Sequence, residues 1–146
     1  MFISFEGTEG VGKTTLIRKI HEHFERQGEQ IVLTREPGGT PLAERVRDLL
    51  LAVNHEEKMA HDTELLLIYA ARAQHLEQVI VPALNAGKTV LSDRFTDASY
   101  AYQCAGRGLS KEKLKILNQT FVSQMPDITF WLDAPIELGM SRAVSY

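Results

Sequence analysis

The chain has 146 residues, 44% of them hydrophobic, which is enough apolar material for one folded domain and excludes a disordered chain. Its 16 Lys and Arg are interleaved with 19 Asp and Glu for a net charge of −3, so no basic field is available to a nucleic-acid backbone. No apolar run approaches membrane-spanning length, so neither a nucleic acid nor a membrane is expected as a partner.

The apolar run Met1-Phe2-Ile3-Ser4-Phe5 predicts a first strand over about residues 2–6. No basic leader precedes it, and Cys104 is the single cysteine, so no intrachain disulfide can form and a cytoplasmic setting is expected. Directly after the strand, Gly7-Thr8-Glu9-Gly10-Val11-Gly12-Lys13-Thr14 reads G-x-x-x-x-G-K-T, a phosphate-binding P-loop between a strand and a helix. Its glycines allow positive-φ turns and close approach to a polyphosphate. Successive N–H groups at the helix N-terminus favour an anion, Lys13 can reach the β/γ-phosphates, and the Thr14 hydroxyl can ligate Mg²⁺. A nucleoside triphosphate with Mg²⁺ is the expected ligand.

A helix follows over about 12–27, with Leu16, Ile17, Ile20 and Phe24 on one face and Gly28 as its stop. A second strand over 30–34 runs into the turn Arg35-Glu36-Pro37-Gly38-Gly39-Thr40-Pro41, and a helix spans about 42–52. His55 and His61 lie in a polar loop and form no metal-ligand spacing. A long amphipathic helix is expected over 63–86, bent at Pro82. Strand three covers 89–92, a helix near 110–123 has Ser110 as its N-cap, strand four covers 128–132, and a last helix begins near Pro135. Strands alternating with helices mean parallel βαβ units, hence an α/β fold of the P-loop NTPase type, a doubly wound parallel sheet flanked by helices. Ligands in such sheets bind beyond the carboxyl ends of the strands.

Strand three ends in Asp93-Arg94. An acid at an apolar strand tip is where a P-loop protein keeps its Mg²⁺-directing carboxylate. Motor-type ATPases usually place a Glu next, to polarise water; here Arg94 suits clamping a second phosphate group. No N-K-x-D guanine-reading motif occurs, and the loop also fits the narrower G-x-x-G-x-G-K spacing of small-molecule kinases. Arg35 ends strand two, Arg47 lies on the next helix, and Arg72 interrupts the apolar stretch 65–73, where a charge needs a partner. For Arg47 and Arg72 a solvated helix face is the competing reading. Residues 95–103 are rich in aromatic and hydrogen-bonding groups that would suit a base edge, or else core contacts of a helix.

Together, Glu6–Thr15 around the P-loop, Thr34-Arg35-Glu36-Pro37-Gly38-Gly39-Thr40, Ala70-Ala71-Arg72, Asp93-Arg94 and Ala101-Tyr102-Gln103 closely resemble the bacterial thymidylate kinases, in family order across almost the whole chain. The resemblance implies transfer of the ATP γ-phosphoryl group to dTMP, giving dTDP, by a homodimer that uses ATP and Mg²⁺. It implies that Gly7, Thr8, Glu9, Gly10, Val11, Gly12, Lys13 and Thr14 hold the ATP phosphates, and that Lys13, Asp93 and Arg94 serve the transfer, with Thr14 and Asp93 on the metal. Glu9 would face the deoxyribose 3′-hydroxyl, and Arg94 would clamp the dTMP phosphate, helped by Arg35 or Arg47 beside Pro37. Arg72, Ser99 and Gln103 would read the thymine edge, and Tyr102 would crowd the 2′ position. Where the family usually stacks an aromatic residue on thymine this chain has Ile68, with Tyr69 next door, and either would meet the base. Family members run longer, with an arginine-rich lid after the helix represented here by residues 137–143. The reading is therefore one kinase domain, 1–146, lacking that lid and the last helices, with Arg142 at most its approach. No P-loop position from Thr8 to Val11 is basic, so the transition-state cation would come from the lid, and without it turnover would fall by about 10³-fold or more.

Overall fold

In a computed structural model that describes residues 1–52 and 57–143, the apolar runs become one parallel sheet of four strands. These are β1 (Phe2–Glu6), β2 (Ile31–Arg35), β3 (Thr89–Asp93) and β4 (Ile128–Trp131), in the order β2-β3-β1-β4. Between them run α1 (Lys13–Arg26), α2 (Pro41–Leu51), α3 (His61–His75), α4 (Val81–Asn85), α5 (Thr96–Ser99) and α6 (Lys111–Phe121), and α7 (Ile136–Ala143) follows β4. His55 lies outside the described residues.

Strand parity explains why both sheet faces are covered. Phe2 and Val90, paired in register, point to one face and pack with Leu76, Ile80, Ala83 and Phe95. Ile3, Phe5 and Leu91 point to the other, against Ile17 and its neighbours Leu16, Ile20 and Phe24 on the apolar stripe of α1. β1 is buried along its whole length, whereas β4, at the edge, is exposed throughout. A continuous apolar run thus marks the central strand of a parallel sheet.

A third cluster, Leu65, Tyr69, Cys104 and Leu114, fastens α3 to α6. α2 begins under a Thr40 cap, whose hydroxyl accepts from the Ala43 N–H at 3.0 Å, and Ser110 caps α6 as expected, accepting from the Glu112 N–H at 3.1 Å.

The expected single helix over 63–86 is three pieces: α3, a π-helical turn at Leu76–Ile80, and α4. Pro82 has no N–H for the carbonyl of Gln78, and its ring would press on that carbonyl in a regular helix. The wider π-turn absorbs the conflict just ahead of the proline. After β3, α5 is only four residues long and passes into a π-helical stretch at Tyr100–Gly106.

Register then fixes the site. Phe5 pairs with Asp93, and Arg35 also pairs with Asp93, so the ends of β1, β2 and β3 lie side by side. β1 and β3 are neighbours although β2 separates them in sequence, so the loops leaving them diverge at a topological switch point, where a crevice opens.

Candidate active site

The loop between β1 and α1 takes the shape its glycines permit. Gly7, Gly10 and Gly12 have φ of 140°, 73° and 96°. A Cβ on Gly7 would strike the Leu132 carbonyl, and one on Gly10 would strike the Gly139 carbonyl, so the loop lies tightly on the chain after β4. α1 starts at Gly12 with no side-chain cap and no acid in its first turn. Its free N–H groups and positive dipole end face the loop, an arrangement that fits an anion. Lys13 is 8% exposed, and its Nζ donates to the carbonyl oxygens of Gly7 at 3.0 Å and Thr8 at 2.8 Å. Burial, and then the Arg94 charge, push its pKa below the usual lysine range. A desolvated ammonium beside open N–H groups is poised for a negative ligand.

At the tip of β3, the Asp93 carboxyl has one buried oxygen, Oδ1, without a hydrogen-bond partner. With the Thr14 hydroxyl it lines a cavity of about 470 Å³ that also takes in Thr34, Arg35, Gly39 and Glu44. Among the described residues no cluster of three His, Cys, Asp or Glu side chains gathers to hold a metal unaided. An unpartnered carboxylate oxygen on a residue that shares a cavity with a threonine fits Mg²⁺, which takes few protein ligands and completes its shell with phosphate and water.

Arg94 has φ of 73°, the one described residue other than glycine with positive φ. Its backbone is held from both sides: its N–H donates to the Phe5 carbonyl at 3.0 Å, and its carbonyl accepts from the Ser92 hydroxyl at 2.8 Å. A conformation costing about 1–2 kcal/mol persists because these bonds fix it, and it turns the guanidinium sideways over the Tyr102 ring, 5.1 Å from the centroid. There it lines a second cavity, of about 400 Å³, a size suited to a small ligand.

That second cavity gathers most of the expected acceptor residues: Glu9, Pro37, Arg47, Ile68, Arg72, Arg94, Ser99, Tyr102 and Gln103. Arg72 is 3% exposed and is held by its neighbours at Nε and Nη2. Its Nε donates to Glu36 Oε2 at 2.7 Å, and its Nη2 donates to Ser99 Oγ at 2.9 Å and the Phe95 carbonyl at 3.2 Å. The rings of Tyr69 and Phe95 lie 4.7 and 5.3 Å from its Cζ. Nη1 is buried and has no protein partner. Arg47 donates to the Pro37 carbonyl at 2.9 Å, and Gln103 donates to Glu64 at 2.8 Å.

Two of the expected acceptor residues stand away from that cavity. Tyr69 does not face the cavity: it is 3% exposed, its hydroxyl donates to Asn118 Oδ1 at 2.8 Å, and burial pushes its phenol up to about 12. The packing of α3 on α6 draws it into the core and leaves Ile68, one residue earlier, on the cavity wall. Arg35 stands apart from the acceptor cavity as well. It is exposed, bound to Glu44 at 2.8 Å, and lines the cavity on the Asp93 side, so of the two candidate helpers Arg47 is the one that shares a cavity with Arg94.

Sequence reasoning also passed over four residues. Glu36 pairs with both Arg72 and His75, and Glu64 with Arg107 forms one rim of the cavity. His75 follows Arg72 by three positions, which puts both on one face of α3, and that spacing was the available signal.

A domain model for thymidylate kinase matches residues 5–145. The chain belongs to the thymidylate kinase family. It is 83% identical over 143 residues to a thymidylate kinase of Acinetobacter baylyi, covering 98% of this chain and 71% of that one. It is 80% identical over 143 residues to one of Acinetobacter baumannii, covering 98% and 72%. The crystal structure of thymidylate kinase from Ehrlichia chaffeensis superposes with a TM-score of 0.85 at 40% identity, over 98% of this chain and 76% of that one, so the sheet is that of a thymidylate kinase P-loop fold.

Glu6, at the end of β1 in this thymidylate kinase fold, yields a stability prediction. Its Oε1 accepts from the Phe95 N–H at 2.7 Å, yet burial raises its pKa above the ordinary 4.5. The folded state therefore holds its proton to higher pH than the unfolded chain, and stability falls as pH rises from 4.5 through the folded value. Glu6→Gln keeps the acceptor for Phe95 and removes the buried charge. Melting curves at pH 5 and pH 8 are expected to show a smaller drop for the variant than for the parent, with no loss at pH 8; an unchanged pH dependence counts against this account of Glu6.

Proposed function

We propose that the chain phosphorylates dTMP to dTDP, moving the γ-phosphoryl group of ATP in line onto the acceptor phosphate. The observation that carries this is that a phosphate-donor loop and an arginine-lined cavity meet at one strand tip, Asp93-Arg94. Gly7–Thr14 hold the donor phosphates through backbone N–H groups and Lys13. Thr14 and Asp93 would hold Mg²⁺, which neutralises phosphate charge when bound. Arg94, with Arg47, takes the acceptor phosphate by paired guanidinium hydrogen bonds. The free Nη1 of Arg72 and the Gln103 amide serve the base edge, Ile68 its face, Glu9 the sugar 3′-hydroxyl, and Tyr102 the 2′ side.

The acceptor is a phosphate monoester with a second pKa near ~6, anionic at neutral pH, so no general base is required. Catalysis is positioning plus charge neutralisation, which suits a site of arginines and a lysine. The same reading includes a homodimer in the cytoplasm. Among the described residues no helix is long and apolar enough to cross a membrane. The apolar groove of Leu65, Leu66, Ile116 and Leu117 between α3 and α6, rimmed by the Asp62–Lys113 ion pair, supports a subunit contact there.

A coupled assay with ATP and dTMP, dUMP, dCMP or dGMP tests the assignment. dTMP is expected to win in kcat/KM, over dUMP by about tenfold or more, the scale of one methyl group in a fitted pocket. Equal rates across the four acceptors would remove dTMP as the substrate.

A further inference from the structure

His75 is completely buried, titratable, and untouched by the phosphotransfer scheme. Its Nδ1 lies 3.1 Å from Glu36 Oε1, and its Nε2 lies 2.6 Å from the Thr34 hydroxyl. A carboxylate oxygen only accepts, so Nδ1 donates, and in the neutral ring Nε2 accepts from Thr34. The other oxygen of Glu36 receives Arg72 Nε at 2.7 Å. Thr34, His75, Glu36 and Arg72 thus form one unbroken hydrogen-bonded chain, half-buried at Thr34 and buried from His75 on, from the end of β2 to the guanidinium whose Nη1 remains unpartnered.

The surroundings hold the ring in this place. A Cβ on Gly39 would come within 2.5 Å of the imidazole, so glycine at this position is what lets the turn close over it. The π-helical turn begins directly after His75, a departure from regular helix found often beside functional sites. A carboxylate bound only by Arg72 would be free to rotate about its terminal bond. Fixed at its second oxygen by His75, it sets the plane of the guanidinium.

We propose that His75 is a positioning residue for the acceptor site, orienting Arg72 toward the base through Glu36. This rests on the reading of Arg72 as a base contact, and the experiment separates the two. Steady-state kinetics are measured for His75→Leu, His75→Asn, Thr34→Val and Arg72→Lys, varying dTMP and ATP separately. His75→Leu is expected to raise KM for dTMP roughly tenfold, the scale of one hydrogen bond to a charged group, with KM for ATP unchanged and kcat within about twofold. His75→Asn, whose amide N–H can stand in for Nδ1, is expected to recover most of that loss, and Thr34→Val to show a smaller shift of the same kind. A general packing defect would instead move both substrates together and would not be rescued by Asn. Unchanged KM for dTMP in His75→Leu, equal shifts for ATP and dTMP, or failure of His75→Asn to recover overturns the proposal. If His75→Leu does not fold, an unchanged KM for dTMP in Thr34→Val overturns it, and a selective rise supports it. A rise in Arg72→Lys without one in His75→Leu overturns the role of His75 alone. An unchanged KM in Arg72→Lys overturns the reading of Arg72 itself.

Discussion

Replacing Lys13 with methionine is expected to lower kcat by about 10²–10³-fold, the scale lost when one preorganised donor to a developing charge is removed. Its Nζ sits under the P-loop, bonded only to the Gly7 and Thr8 carbonyls, so it can turn to phosphate oxygens without breaking a salt bridge. The loss belongs in kcat and kcat/KM together, since the charge matters most where negative charge is redistributed in the transfer. Stability should not suffer. The folded-state pKa of Lys13 is lowered, so its charge is disfavoured by folding, and stability rises with pH as the folded value is passed below the ordinary 10.5. Methionine keeps the aliphatic stem and removes that charge. Single-turnover kinetics and a thermal melt together check this. A variant with less than a tenfold loss, or one that melts far below the parent, contradicts it.

Replacing Glu36 with alanine is expected to have the largest effect on the fold. Glu36 is 4% exposed and faces the buried cation of Arg72, with His75 against its second oxygen. Removing one member of a buried ion pair leaves the other charge desolvated without a partner, which costs about 3–5 kcal/mol. For a chain of this size that is a fall in melting temperature of roughly 10 °C. Denaturant titration and scanning calorimetry measure it directly. A shift of only a degree or two would mean that Arg72 finds another partner, and the chain from Thr34 to Arg72 would lose its structural significance.

These two residues differ in how they can be seen in the sequence. Lys13 is announced by spacing, because a loop that must wrap a phosphate needs glycines and a lysine at fixed offsets. Glu36 is not. It lies in a polar turn that reads as punctuation between a strand and a helix, and its importance arises only when α3 is laid across that turn. Tyr69 and Ile68 make the same point from the other side. They are adjacent in sequence and equally plausible against a base, and only the contact of α3 with Leu114 and Asn118 of α6 decides that the aromatic ring goes inward. Arg35 looked like part of the acceptor clamp from its place at a strand end, but Glu44, one turn into the next helix, takes it.

The sequence by itself determined the parallel α/β sheet, the P-loop and its lysine, the acid and arginine at the tip of β3, and the family. Each of these is carried by local pattern: apolar runs, glycine spacing, and residues adjoining a strand end. Tertiary structure alone decided which side chains share a cavity, which arginines are already bound, and which titratable groups are buried together. Those properties depend on the register of β1, β2 and β3 and on where helices cross one another, and burial and pairing are sums over neighbours distant in the chain.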